Sequence, residues 1–153
     1  MNYEILRLDE KAVADFGRLR VELLEELGEI TRETDVFTLK SAVEQYYLAH
    51  INKDLFSWGV QQNEKIVAIG ALCLFTRVPY NGNLNGLEGY ILNMYTADEY
   101  RKCGLANKIL DNIIEYSERN NIKRLWLSSS EQGKHLYMKK GFIKKDNEME
   151  LFL

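Results

Sequence analysis

One segment, residues 90–128, constrains the fold of this chain more than any other. Residues 90–96 are rich in β-forming side chains, and from Leu105 apolar residues recur at helical spacing until Asn120. Residues 123–128 then carry a second apolar strand core. A strand, a helix and a strand in this order predict a βαβ unit, so we expect a sheet that is covered by helices.

The rest of the chain adds strands and helices to this unit. Apolar patterns predict strands at residues 3–8, 55–61, 65–75, 142–145 and 148–153, and helices at residues 12–27, 39–51 and 133–140. We therefore expect an α/β (α+β) fold in which a mixed central sheet of about seven strands is flanked by about four helices. The predicted order is β-α-α-β-β-β-α-β-α-β-β.

Length and composition limit what the chain can be. At 153 residues it has the size of one domain, and we expect a single domain over residues 1–153. A net charge of −3 lacks the basic excess of a nucleic-acid binder, and no apolar stretch is long enough to span a membrane. The cysteines and histidines show no metal-ligand spacing, so no metal site is predicted. Because the amino terminus lacks a secretory pattern, the expected location is cytoplasmic.

The turn that leads into the helix of the βαβ unit carries the chemistry. From Arg101 to Ala106 it reads Arg-Lys-Cys-Gly-Leu-Ala. The amino terminus of a helix presents unpaired N–H groups and a partial positive charge, so a turn with small residues there can hold phosphate oxygens. This turn lacks both the Gly-x-Gly-x-x-Gly fingerprint and the Gly-Lys-Ser/Thr ending of a P-loop. Taken alone, it is also compatible with an ordinary glycine-bearing loop.

Three ordered motifs give this turn a more specific meaning. They are Ile-Leu-Asn-Met-Tyr-Thr at residues 91–96, Glu-Tyr-Arg-Lys-Cys-Gly-Leu-Ala at residues 99–106, and Leu-Tyr-Met-Lys-Lys-Gly-Phe at residues 136–142. Together they closely resemble the GNAT superfamily of N-acetyltransferases. The resemblance is specific from Gly89 to Phe142, and the order of elements extends it in outline to nearly the whole chain.

The resemblance implies a site for acetyl-CoA as co-substrate. The phosphate signature of the family is Arg or Gln, two residues, Gly, one residue, then Gly or Ala, and Arg101, Gly104 and Ala106 match it. The backbone of Met94 and Thr96 is expected to bind the pantetheine arm as it would bind an added strand. The expected cofactor-binding residues are Met94, Tyr95, Thr96, Arg101, Lys102, Cys103, Gly104, Leu105, Ala106 and Ser129.

The resemblance also implies direct acetyl transfer to an amine. Tyr137 aligns with the tyrosine that protonates the leaving CoA thiolate in many relatives, although a tyrosine on a short helix can also be a packing residue. A base must remove a proton from the ammonium group. The candidates are Glu88 and Glu29, and for each the alternative is a solvated surface carboxylate. The chain is thus expected to be an acyltransferase that uses acetyl-CoA to acetylate a primary amine of a small molecule or peptide.

Three questions stay open at this level. A non-catalytic acyl-CoA-binding sensor or partner-binding module would keep the same phosphate turn, and a nucleotide-binding domain is a third interpretation. The acceptor amine is not specified, although acidic residues such as Glu29 and Glu88 mildly favour a cationic acceptor. A homodimer is possible through the apolar carboxyl-terminal residues Met149, Leu151, Phe152 and Leu153, which burial in the same sheet would also explain.

Overall fold

One sheet forms the centre of the structure, a computed structural model that describes residues 3–153. Its strands are β1 (Leu6–Arg7), β2 (Leu55–Gln62), β3 (Lys65–Thr76), β4 (Leu87–Thr96) and β5 (Arg124–Trp126). The helices are α1 (Val13–Glu26), α2 (Val36–His50), α3 (Leu105–Arg119) and α4 (Lys134–Lys139). The strands follow the order of the sequence, antiparallel from β1 to β4 and parallel between β4 and β5. The first two positions of the predicted domain lie outside the described residues.

Local sequence explains where several of these elements begin and end. Asp35 caps α2, because its side chain accepts a hydrogen bond from the backbone N–H of Thr38. α1 ends just before Gly28, whose φ of 75° lies in the left-handed region that glycine adopts freely. Between β2 and β3, Asn63 and Glu64 both have positive φ, which reverses the chain within two residues. The predicted hairpin of β2 and β3 is therefore present.

The sheet carries a hydrophobic core on each face. On one face α3 packs through buried residues that include Ile109 and Ile113. On the other face α1 and α2 bury Leu19 and Tyr47 completely. Since β3 lies between the two cores, its central residues are buried from both sides, which explains its nearly continuous apolar sequence.

The prediction of strands at residues 142–145 and 148–153 is wrong. Within residues 3–153 the sheet has five strands rather than about seven, whereas the four predicted helices are confirmed. The carboxyl-terminal tail, residues 143–153, has no regular structure. Its apolar side chains are at least 82% exposed at Ile143, Met149, Leu151, Phe152 and Leu153. A β-forming pattern gives a strand only where a partner strand is available, and the edge strand β5 has only three residues.

The bounds of two strands also differ from the prediction. β1 has two residues instead of the six expected at residues 3–8. β4 begins at Leu87, three residues before the strand predicted at residues 90–96. Glu88 and Gly89 pair there with β3, so pairing with a neighbour outweighs the poor strand propensity of glycine. Glu88 consequently lies within the sheet and not in a loop.

Candidate active site

A cleft opens where β4 and β5 separate. The two strands pair only over residues 88–90 and 124–126, after which β4 continues to Thr96. The cleft has a volume of about 930 Å³ and is lined by β4, the end of α1, the start of α3, and α4 with the loop before it. This size suits a cofactor or a drug-sized ligand, and the edge of β4 that β5 leaves uncovered can pair with an extended ligand. Met94, Tyr95 and Thr96, which the sequence singled out, line this cleft.

The turn before α3 presents backbone N–H groups at one end of the cleft. Lys102 and Gly104 have φ values of 62° and 74°, which bend the chain sharply into the helix. The first helical hydrogen bond runs from the N–H of Lys108 to the carbonyl of Gly104, and no side chain caps the helix. Within residues 3–153, the N–H groups of Leu105 and Ala106 therefore have no acceptor. Such a helix start can bind phosphate oxygens.

The side chain of Arg101 is held by other protein groups. Its Nε donates to the carbonyl of Thr96 at 2.8 Å, and Nη1 and Nη2 bind the two carboxylate oxygens of Glu26 at 2.8 and 3.1 Å. Nη1 also lies 2.9 Å from Asp98 Oδ1. A bidentate pair of this kind fixes the plane of the guanidinium group. Arg101 therefore connects the turn to the end of α1. The next residue, Lys102, makes no ion pair with any of residues 3–153.

Tyr137 lies on α4 and lines the cleft. Its side chain is largely buried and packs edge-on against Phe142, with ring centroids 5.7 Å apart. Its hydroxyl makes no hydrogen bond to any of residues 3–153. Burial, and to a lesser degree the proximity of Tyr90, raises the pKa of Tyr137 to about 12. The phenol is protonated at neutral pH, as it would be at its ordinary pKa, so the hydroxyl carries the proton that an acid must donate.

The two candidate bases lie in different surroundings. Glu29 follows α1 and lines the cleft. Glu88 is completely buried and is not part of the cleft lining. Its carboxylate accepts hydrogen bonds from the Tyr80 hydroxyl at 2.8 Å and from Arg124 Nη1 at 3.0 Å. Burial alone raises the pKa of Glu88, but these hydrogen bonds and the nearby arginine charges outweigh it, so the pKa lies below its ordinary value.

Two further predicted residues do not line this cleft. Cys103 is exposed, and its thiol points back to the carbonyl of Arg101 at 3.5 Å. Ser129 lines only a second cleft on the outer side of β5, whereas Ser130 lines only the first and Ser128 lines both.

Two residues at the cleft were missed by the sequence reasoning. Glu26 lies 75 positions before its partner Arg101, and no local pattern connects the two. Asn93 is a polar residue in an otherwise mainly apolar strand, and this break in the pattern could have indicated a functional role. The β3–β4 register explains its position: between the pairs Ile69–Tyr95 and Ala71–Leu92, one residue of β3 faces two residues of β4. Asn93 therefore belongs to a β-bulge, a feature that is common beside active sites.

Comparison with known proteins gives a consistent result. A family model described as "Acetyltransferase (GNAT) family" matches residues 21–142. A predicted acetyltransferase from Clostridium acetobutylicum, solved with acetyl-CoA, superposes with a TM-score of 0.87 at 28% identity, covering 99% of this chain and 96% of that one. A GCN5-related N-acetyltransferase from Ralstonia eutropha gives 0.85 at 20% identity, with 99% of each chain covered.

A third solved structure shares the fold at lower similarity. Glucosamine-6-phosphate N-acetyltransferase from Arabidopsis thaliana superposes with a TM-score of 0.70 at 19% identity, covering 99% of each chain. Among curated protein sequences, none matches this chain. Within residues 3–153, no helix is both long and apolar enough to cross a membrane. The same residues contain no group of three or more His, Cys, Asp or Glu side chains placed to hold a metal ion.

Proposed function

The chain belongs to the GNAT acetyltransferase family, and we propose that it is an N-acetyltransferase that moves the acetyl group of acetyl-CoA to a primary amine of a small molecule or peptide. The carrying observation is that one cleft brings together a helix start with unpaired N–H groups, an uncovered strand edge and a protonated tyrosine. Each of the three suits a different part of an acyl-CoA. The similar solved structure from Clostridium acetobutylicum contains acetyl-CoA, which supports acetyl-CoA as the acetyl donor here.

The cofactor is proposed to lie along the cleft from the turn to α4. Its pyrophosphate binds the N–H groups of Leu105 and Ala106, with Lys102 adding positive charge. Its pantetheine arm pairs with the uncovered edge of β4 at Met94 and Thr96. Arg101 holds the turn in place through Glu26, because its guanidinium group is already occupied by that carboxylate.

The proposed reaction is a direct transfer without an acyl-enzyme. The nitrogen of the neutral amine attacks the thioester carbon, a C–N bond forms, and the carbonyl electron pair moves onto oxygen. When the carbonyl reforms, the C–S bond breaks and the thiolate takes a proton from the Tyr137 hydroxyl. The acceptor ammonium first loses a proton to a base, for which Glu29 or a water beside it is better placed than the buried, ion-paired Glu88. After the attack the nitrogen loses a second proton to solvent, and solvent returns a proton to Tyr137.

Thiol release from acetyl-CoA, measured with a panel of primary amines, tests this proposal. An acetyltransferase releases CoA in proportion to an acetylated amine, which mass spectrometry identifies. Binding of CoA without turnover on any amine, together with no effect of Tyr137→Phe, would instead support a sensor of acyl-CoA. Tight binding of ATP without binding of CoA would contradict the proposal altogether.

We also propose that the protein forms a homodimer through its carboxyl-terminal tail. Met149, Leu151 and Phe152 are exposed there, and several exposed large apolar side chains in one segment are a feature of surfaces that contact a partner. The outer edge of β5 is unpaired and lies beside a cleft of about 840 Å³ that the tail itself helps to line. A tail from a second copy would bury its apolar side chains and extend the sheet.

Sedimentation analysis of the wild-type protein and of a Met149→Ser/Leu151→Ser/Phe152→Ser variant tests the dimer. A dimeric wild type and a monomeric variant are expected, whereas a monomeric wild type would contradict the proposed dimer.

For the location we propose the cytoplasm. Both cysteines are free thiols, and reduced cysteines are typical of that compartment. Cell fractionation with an antibody to the protein checks the location.

A further inference from the structure

Arg20 is a partly buried cation without an ion pair in the described part of the chain. It lies on α1 and lines the cleft that holds the candidate active site. Its guanidinium group makes no hydrogen bond and no ion pair with any of residues 3–153. The other partly buried arginines each bind at least one carboxylate; they are Arg18, Arg101 and Arg124. Guanidinium groups stay charged in proteins, and a charge withdrawn from water without a partner costs free energy, so Arg20 requires an explanation.

The sequence of α1 explains why Arg20 has no partner on its own helix. Side chains three and four positions apart are neighbours on a helix surface. At these spacings from Arg20 stand only uncharged residues, which are Phe16, Gly17, Leu23 and Leu24. Arg18 has Asp15 and Glu22 at the same spacings and binds them at 2.8 and 3.2 Å. The helix therefore neutralises one arginine and leaves the other without a partner.

Two observations place the Arg20 side chain at the cleft. The face of α1 that carries it also presents three leucines to the cleft, Leu23, Leu24 and Leu27. Its charge also acts on Cys73 of β3, which packs into the core beneath α1 and α2. Burial raises the pKa of the Cys73 thiol, while contact with the Tyr46 hydroxyl and the charge of Arg20 lower it. The guanidinium group therefore lies on the side of the sheet that α1 covers.

This side of the cleft is the one that the proposed position of CoA leaves free. Leu92 and Tyr95 of β4 pack into the core beneath α1 and α2, whereas Met94 packs into the core beneath α3. CoA is proposed to lie along the turn before α3, the edge of β4 and α4. A second ligand that enters from the α1 side therefore passes Arg20 on its way to the thioester.

We propose that Arg20 binds an anionic group of the acceptor, so that the acceptor is a primary amine that also carries a carboxylate or a phosphate; this inference rests on the acetyl transfer proposed above. The planar guanidinium group can donate two parallel N–H hydrogen bonds to either oxyanion, which orients the acceptor as well as holding it. Glu29 lines the same cleft. A small zwitterionic molecule thus meets a carboxylate beside its ammonium group and a cation at its anionic group. Arg20 gains and loses no proton in the reaction.

The proposal replaces the mild preference for a cationic acceptor that the acidic residues suggested. Glu88 is completely buried and accepts a hydrogen bond from Arg124, so its charge is not available to an acceptor. Glu26, which lines the cleft, is occupied by Arg101. The charges of these two carboxylates are therefore neutralised within the protein, whereas that of Arg20 is not.

Two pairs of acceptors, each with and without the anion, test the role of Arg20. Leucine is compared with leucinamide, and phosphoethanolamine with ethanolamine. We expect the ratio of kcat/KM for the anionic member to that for its partner to be about 10- to 100-fold lower in Arg20→Gln than in the wild type, as for lost hydrogen bonds to a charged group. The different basicity of the two amines affects both proteins equally and cancels. The pair that responds identifies the anion as a carboxylate or a phosphate.

Arg18→Gln is the matched control, because Arg18 lies on the same helix but does not line the cleft. It should lower the melting temperature, since its ion pairs with Asp15 and Glu22 are lost, and leave both ratios unchanged. Arg20→Gln should keep the melting temperature of the wild type, because no ion pair is lost. Arg20→Lys keeps the charge without the planar fork, so its ratios should fall between those of the wild type and of Arg20→Gln.

Calorimetric titration with CoA in place of acetyl-CoA separates this proposal from the proposed function. No acetyl group is present, so only binding of the four compounds is measured. A wild type that binds the anionic member of a pair about tenfold more tightly than its partner, with the preference lost in Arg20→Gln, supports the role of Arg20 even where no amine is acetylated. The proposal is overturned if the wild type prefers the anionic member of neither pair, or if Arg20→Gln keeps the preference, even where amines are acetylated.

Discussion

The start and the middle of β4 each bury a polar side chain, but their surroundings differ. At the start, the carboxylate of Glu88 is completely buried and accepts hydrogen bonds from Tyr80 and Arg124. In the middle, the carboxamide of Asn93 is equally buried and has no partner among residues 3–153. A buried polar group with its partners in place avoids the free-energy cost of an unpaired buried atom, whereas the Asn93 carboxamide bears that cost. Burial alone therefore does not identify a functional residue.

The largest expected effect comes from a pair of tyrosines that extends this comparison. Tyr137 has no partner for its hydroxyl among residues 3–153, while the hydroxyl of Tyr47 donates to the carbonyl of Asp9 at 2.6 Å. Tyr137→Phe should lower kcat about 100-fold, because the leaving thiolate loses its proton donor. Tyr47→Phe should cost about 1 kcal/mol of unfolding free energy and leave kcat unchanged. Steady-state kinetics gives kcat and urea unfolding gives the free energy of unfolding for each variant. A Tyr137→Phe variant with the kcat of the wild type would show that Tyr137 is not the acid.

Glu88→Gln tests the buried polar group that has its partners, the carboxylate at the start of β4. The amide lacks the negative charge that Arg124 and Tyr80 bind, so we expect a loss of about 2 kcal/mol in the free energy of unfolding. The value of kcat should stay within about twofold, because the side chain does not line the cleft. Urea denaturation and thiol-release kinetics give the two numbers. A large fall in kcat with an unchanged free energy of unfolding would indicate that Glu88 is the base.

A smaller effect is expected at the ion pair between Glu26 and Arg101. Glu26→Gln, Arg101→Gln and the double variant form a double-mutant cycle, for which we expect a coupling of about 0.5 kcal/mol in unfolding free energy. Since Arg101 acts through the turn, both single variants should weaken CoA binding by a similar small factor, measured by titration. If Arg101 contacted the phosphates directly, its replacement would weaken CoA binding much more than that of Glu26.

The smallest effect is a dependence of stability on pH that comes from Glu88. Its pKa in the folded protein lies below the ordinary value of 4.5. The folded state therefore binds fewer protons than the unfolded state in the acid range, so this contribution is present above pH 4.5 and is lost as the pH falls through the folded pKa. Unfolding free energies measured from pH 6 to pH 3 should fall less steeply in Glu88→Gln than in the wild type. Identical slopes would contradict the lowered pKa.

Much of the fold could be predicted because its signals are local. The helices follow from the spacing of apolar residues, and the β2–β3 hairpin from two strand patterns with a short polar connection. The prediction of two carboxyl-terminal strands was wrong, because a strand needs a partner that the apolar pattern itself does not supply. The start of β4 was missed for the related reason that pairing with β3 overrides the glycine there.

The sequence by itself determined the order of elements as far as α4, the turn from Arg101 to Ala106 and the place of Tyr137 on α4, since each depends on residues close together in the chain. Only the tertiary structure decided which polar groups have partners. It paired Arg101 with Glu26, buried Glu88 against Arg124, and left Asn93 unpaired at a bulge. The physical reason is that burial and hydrogen bonding are properties of neighbours in space, which sequence spacing does not specify.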